Sequence, residues 1–225
     1  MNEDLIAGLQ IEGMHPARQR RTRQLVLRMM QTALELLADR DFDGLSVEDL
    51  SKGAGATTGS FYARFESKAA FIHALQRVVV AEGIQRLEAV YGSGIVPDDD
   101  LERMLTWIAT GGATWYRNHE GLVRASLRRA SHEPHVWQPM FELGQAHIRL
   151  AMPRILALAG AGRPADDIGS GEAVPEIRVR VAFAFQILHS TLNNIVLIDP
   201  GPYRLHDAEL PRMLTTAMMR LIAGP

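Results

Sequence analysis

The chain has 225 residues, 47% of them hydrophobic and 22% charged, with a net charge of −2 and no cysteine. At ~150 residues per domain this length allows one large domain or two small ones, and the balance excludes a disordered, collagen-like or disulfide-stapled chain. Thiol nucleophiles and cysteine zinc sites are excluded as well, which suits a reducing compartment, the cytoplasm being the expectation.

The overall charge conceals a local pattern. Residues 1–15 carry three acids and no Lys or Arg, residues 16–76 sum to +2, and residues 77–225 sum to −1. Between Pro16 and Met30 stand Arg18, Arg20, Arg21, Arg23 and Arg28 with no acid among them. A polyanion would be met there; a solvated charge run is the equally open alternative. The opening residues hold no apolar run of signal-peptide length. The longest apolar stretch, Val181 to Ile198, is interrupted by Gln186, His189, Asn193 and Asn194 and reads as a buried helix, so no membrane association is expected.

From Thr22 to Ala38, Leu25, Met29, Met30, Ala33, Leu36 and Leu37 recur at three- and four-residue spacing and predict an amphipathic helix. Ser46 then caps a short helix reaching about Lys52. Gly53-Ala54-Gly55 supplies residues able to take positive φ, and Thr57 caps a second short helix beginning at Thr58. Ser67 opens a long helix from Lys68 to about Tyr91, ended by Gly92-Ser93-Gly94. Further helices are expected over about Asp99 to Asn118, Glu120 to Ser131, Val136 to Ala159, Pro175 to Ile198 and His206 to Ile222. The glycine-rich stretch Gly160 to Val174 is expected to be one long mobile loop. No strand pattern competes, and the expected fold is all-α.

The run Ser46 to Lys68, above all Gly59-Ser60-Phe61-Tyr62 followed by Phe65 and Ser67-Lys68, resembles the helix-turn-helix of the TetR family of bacterial transcriptional regulators. The likeness spans roughly residues 20–75; the remainder matches in helix number and order. Where the family usually has glycine after its first helix, this chain has Asp41. The resemblance implies an N-terminal three-helix DNA-binding domain followed by a larger helical ligand-binding and dimerisation domain. The expected division is a flexible N-terminal segment with a basic arm over 1–21, the helix-turn-helix domain over 22–67 and the helical body over 68–225.

On this likeness Thr58 and Ser60 reach bases, Gly59 lets the backbone approach, and Tyr62, Arg64 and Lys68 hold phosphates. Ser46 and Thr57 stand at helix starts whose free amides suit phosphate oxygens, and Arg21 and Arg23 belong to the arm. Taken singly, Thr57 and Ser60 also suit plain caps, Tyr62 a half-buried core residue and Lys68 a solvated charge. The partners implied are double-stranded operator DNA, a small apolar or amphipathic effector, and a second copy of the chain. Trp107, Trp115, Tyr116, Trp137 and Phe141 are the candidate apolar lining for the effector, with Arg124, Arg128, His147 and Asn193 as polar anchors. The last two helices, apolar around much of their circumference (Val179, Phe183, Ile187, Met213, Ala217, Leu221), supply the dimer interface or, alternatively, internal core.

No Gly-x-Ser-x-Gly, His-Glu-x-x-His or phosphate-loop lysine occurs, and no cofactor is implied. His132-Glu133-Pro134-His135 comes nearest to a metal cluster, but its proline breaks helical spacing and it reads as a surface turn. An all-helical enzyme, or a lipid or small-molecule binder with an incidental N-terminal likeness, is the rival reading.

Overall fold

The computed structural model describes residues 3–161, 173–199 and 201–223. It is 76% helical and contains no named strand among the described residues, so the all-α expectation holds. Among the described residues ten α-helices follow in order: α1 Glu3–Gly8, α2 Arg20–Asp39, α3 Val47–Gly53, α4 Thr58–Tyr62, α5 Lys68–Gly92, α6 Leu101–Asn118, α7 Glu120–Ala130, α8 Gln138–Ala161, α9 Ala173–Ile198 and α10 Leu210–Ala223. A 3-10 turn, Pro134–Trp137, precedes α8 and takes in Pro134 and His135 of the His132–His135 stretch. The expected loop over 160–174 falls largely outside the described residues; at its edge Gly160 still belongs to α8. The last helix starts later than its periodicity suggests, because the Asp207 carboxylate accepts the Arg204 amide at 2.7 Å and closes a turn first.

The chain divides into two compact units, residues 1–85 with 119–143 and residues 86–118 with 144–225. In the first, Met29, Met30, Ala33 and Leu37 of α2 are fully buried, as their spacing predicts, and Val26 joins them, whereas Leu25 and Leu36 of the expected face are only half-buried. They share a core with Leu45, Leu50 and a phenylalanine cluster in which Phe61, Phe65 and Phe71 lie 4.9–5.3 Å apart. Helix α4, five residues long, is too short to persist alone; Phe61 pins it to this cluster. Helix α7 belongs to the same unit. The Arg124 guanidinium donates to Leu37 O at 3.2 Å and Ala38 O at 3.1 Å, the last carbonyls of α2, and Arg128 pairs with Asp41 at 2.5 Å. Asp41 does not take the left-handed backbone; among the described non-glycine residues only Asp199 adopts positive φ.

The N-terminal segment, expected as a flexible arm, is instead folded onto this unit. Leu5, Ile6, Ile11 and Ala17 are buried, and burial of these four offsets the cost of ordering the segment. Residues 13–16 form a strap behind the short helices: His15 N donates to Arg64 O at 2.8 Å, Glu66 N donates to Gly13 O at 3.0 Å, and Met14 bridges to Phe65.

In the second unit α6, α9 and α10 pack together through Met104, Leu105, Ile108 and Ala109, through Val181, Ala184, Phe185, Leu188 and Leu192, and through Leu214, Met218 and Ile222. Helix α9 is long and apolar enough over Glu176–Ile198 to cross a membrane by length and composition. It is buried on one face only; Val179, Phe183, Leu197 and Ile198 are exposed.

Candidate nucleic-acid interface

Three local devices build the site. Ser46 Oγ accepts the Asp49 amide at 2.9 Å and starts α3. Gly55, at φ +66°, turns the chain after α3 in a conformation that L side chains rarely adopt. Gly53, by contrast, is helical, and stands where a Cβ would come within 2.4 Å of Thr32 Cγ2. Thr57 Oγ1 accepts the Ser60 amide at 3.2 Å and lies 3.0 Å from Ser60 Oγ, which starts α4. The caps inferred at Ser46 and Thr57 are thus both present, and Thr57 and Ser60 spend their hydroxyls partly on each other.

What remains outward is Thr57, Thr58, Gly59 and Tyr62, all exposed, with Ser60 half-buried and Ser46 exposed at the start of α3. Around Gly59 the nearest atom to an added Cβ is Thr57 Oγ1, at 3.7 Å, so its outer face is open. Arg64 is half-buried, with one long bond from Nη1 to Pro16 O at 3.4 Å. Arg21 is exposed.

Two expected DNA contacts are occupied otherwise. Lys68 Nζ donates to Leu45 O at 2.9 Å, Phe42 O at 3.2 Å and Asp43 O at 3.4 Å, and lies over the Phe42 ring at 4.7 Å. An ammonium has three donors, so the expected phosphate role gives way to anchoring the loop between α2 and α3. Arg23 Nη1 donates to Arg18 O at 2.7 Å and its Nε lies 4.0 Å from Glu3, so it ties down the N-terminal segment instead of extending from it. Lys68→Ala is accordingly expected to lower domain stability by about 1–2 kcal/mol, read by urea unfolding, while leaving the salt slope of DNA binding unchanged.

The nine expected effector residues do not form one cluster. Arg124, Arg128, Trp137 and Phe141 lie in the first unit, where the two arginines hold α2 and Asp41 and Phe141 is exposed. In the second unit Tyr116 Oη donates to Asn193 Oδ1 at 2.9 Å in a part-buried pair, and Trp115 packs edge-on against Tyr116 at 5.5 Å. Trp107 and His147 do come together, around Tyr91, whose ring is 5.7 Å from the Trp107 ring and 6.0 Å from that of His147. Tyr91, Arg154, Phe185 and His189 complete this group and were not among the expected residues. The signal available was spacing: His147 and Arg154 stand two turns apart on one face of α8, and Phe185 and His189 one turn apart on α9.

Residues 30–75 match the family described as bacterial regulatory proteins, tetR family. This match makes residues 30–75 a TetR-type segment within the chain. Solved structures agree in fold over most of the chain. A structure described as a TetR-family transcriptional regulator from Mesorhizobium loti has TM-score 0.67 at 16% identity, covering 91% of this chain and 98% of that one. GusR of Salmonella enterica has TM-score 0.59 at 16% identity, covering 89% and 96%. A TetR-family regulator from Streptomyces coelicolor has TM-score 0.60 at 16% identity, covering 88% and 78%. No curated protein matches. The matched TetR segment contains α3, the Gly55 turn and α4, the three parts whose geometry is given above.

Proposed function

We propose that this protein is a dimeric DNA-binding repressor, released from a palindromic operator by a small apolar or amphipathic effector. The observation that carries the DNA-binding part is α4: a capped helix, pinned from behind by the phenylalanine cluster, with only small or hydroxyl-bearing residues at its exposed N-terminal end. Such an end fits a major groove about 12 Å wide. Thr58, whose hydroxyl is not used by the cap, reads a base edge; Gly59 admits the DNA backbone close to the helix. Tyr62 and Arg64 hold phosphates, with Arg21 contributing from the start of α2 and the α3 amides behind Ser46 from the other side.

The working division is 22–67 for DNA contact and 68–225 for effector and dimer, with α7 bracing the end of α2. Two half-sites need two copies held about one helical turn apart, ~34 Å, and the exposed apolar residues of α9 and α10 are the surface for that pairing. An effector that prefers one arrangement of the helical body shifts the spacing of the two recognition helices and so the operator affinity.

The test is selection of bound sequences from random duplex DNA by the purified protein. A palindrome is expected, and Thr58→Ala should lose discrimination at one symmetric pair of positions by about 10- to 100-fold per base pair. Tyr62→Phe should instead weaken all sequences alike. Recovery of no enriched sequence would overturn the reading and favour the rival, a helical small-molecule binder without a DNA role.

A further inference from the structure

In the second unit three side-chain atoms are buried without a hydrogen-bond partner: Tyr91 Oη, His147 Nε2 and Arg154 Nη1. His147 and Arg154 both lie against Tyr91. The Arg154 guanidinium lies 5.8 Å from the Tyr91 ring centroid and donates through Nη2 to the Tyr91 carbonyl at 2.8 Å, while the His147 ring stands against the other two aromatic walls, Tyr91 and, at 5.2 Å, Phe185. Tyr91 is 6% exposed and His147 9%. Buried donors are nearly always satisfied, and those left open concentrate where a ligand or an ordered water completes them.

The charge of the group narrows what completes it. Burial raises the Tyr91 phenol far above its ordinary range, so it stays protonated and a donor. Burial, with His189 beside it, lowers His147 to about 3, so that imidazole is neutral. Arg154 is therefore the one charge of the trio. Among the described residues no carboxylate pairs with it; a backbone carbonyl and the face of Tyr91 are its partners. A guanidinium shut off from water at Nη1 is matched best by an anion offering two acceptor oxygens in a plane. The rings of Trp107 and Phe185 stand beside the group and offer mainly apolar contact to the rest of such a molecule.

We propose that Tyr91, His147 and Arg154 form the head-group anchor of the ligand site in the helical body, and that the ligand is an apolar carboxylic acid. Its carboxylate accepts from Arg154 Nη1 and Tyr91 Oη, and its alkyl or aryl body lies against Trp107 and Phe185. This rests on the reading of the helical body as ligand-binding and adds the class of ligand.

The experiment uses the full chain and four probes, hexanoate, decanoate, phenylacetate and 4-phenylbutyrate, each beside its primary amide of nearly equal size. Thermal midpoint and tryptophan fluorescence report binding. At least one acid is expected to raise the midpoint and change the fluorescence, binding about 10- to 100-fold more tightly than its amide, the worth of a hydrogen bond to charge. Arg154→Gln should erase that preference while leaving amide binding in place. Tyr91→Phe, which removes an unpartnered hydroxyl, should fold with an unchanged midpoint and bind the acid several-fold more weakly; it carries the test alone if Arg154→Gln does not fold. Equal binding of acid and amide, retention of the preference in these variants, or no response to any of the acids would overturn the assignment and leave an ordered water as the partner of the trio. Binding is read on the protein without DNA, so a chain that binds the acid but selects no operator keeps this site and loses the regulator reading.

Discussion

Replacing Gly121 by alanine is expected to destabilise the first unit by about 3 kcal/mol, toward the upper end of overpacking costs. A Cβ at this position would lie 2.0 Å from Leu37 O, 2.4 Å from Leu37 C and 3.0 Å from Ala38 N. The obstacle is backbone, which cannot swing aside as a side-chain terminus can. Gly121 occupies the first turn of α7, and one turn further on Arg124 holds two of the carbonyls that α2 leaves open at its end. Helix α2 ends on an extended Arg40 and has no glycine to close it, so α7 serves as its cap from outside. Pushing α7 away breaks those bonds and loosens the loop that Lys68 anchors, and with it the seat of α3. The contrast is Gly111→Ala in α6, where nothing lies within 4 Å of the added Cβ; helix propensity alone should there gain about 0.5–1 kcal/mol. Urea unfolding of the two variants measures both signs. A Gly121→Ala protein as stable as the parent would mean that α7 does not pack on the end of α2 as described.

The contrast between these glycines also shows what was legible in the sequence. Features decided within a few residues were readable: the serine and threonine caps at Ser46 and Thr57, the turn at Gly55, the apolar face of α2, and the motif from Gly59 to Lys68. Features decided across long separations were not. Gly121 and Arg124 act on residues 37 and 38, and nothing in the periodicity of α7 announces that this helix belongs with the DNA-binding helices. Helix α1 has six residues, too few to show a period, and its burial of Leu5 and Ile6 depends on α2 being there to receive them. Lys68 falls at a family position associated with phosphate, yet three carbonyls from residues 42–45 lie close enough to claim its ammonium. The effector residues suffered most, because aromatic and methionine content marks apolar interior without saying which side chains meet. Only the packing of the helices brings Tyr91, at the end of α5, to His147 and Arg154 on α8.

The remaining large effect concerns pairing. Along α9, Val179 and Phe183 stand one turn apart, 68% and 47% exposed, with Ile187 half-buried one turn on; Met213, Ala217 and Leu221 repeat the spacing on α10. The opposite face of α9 already fills the core with Val181, Ala184, Phe185 and Leu188. A helix apolar on two faces and covered on one presents a surface that soluble proteins seldom leave to water. In a two-fold dimer each surface residue occurs twice, so Phe183→Asp places two carboxylates in one interface, each losing its water and repelling the other. The fold of the single chain has little reason to object, since Phe183 is already half in solvent. Sedimentation is therefore expected to show monomer with unchanged helix content by circular dichroism. Operator affinity should fall by about 100-fold or more, because the second half-site is then bound from free solution and no longer at the effective concentration set by the first. Binding to a single half-site should barely change. A Phe183→Asp protein that remained dimeric and held the full operator as tightly as the parent would place the interface elsewhere than on the Val179 to Ile187 stripe.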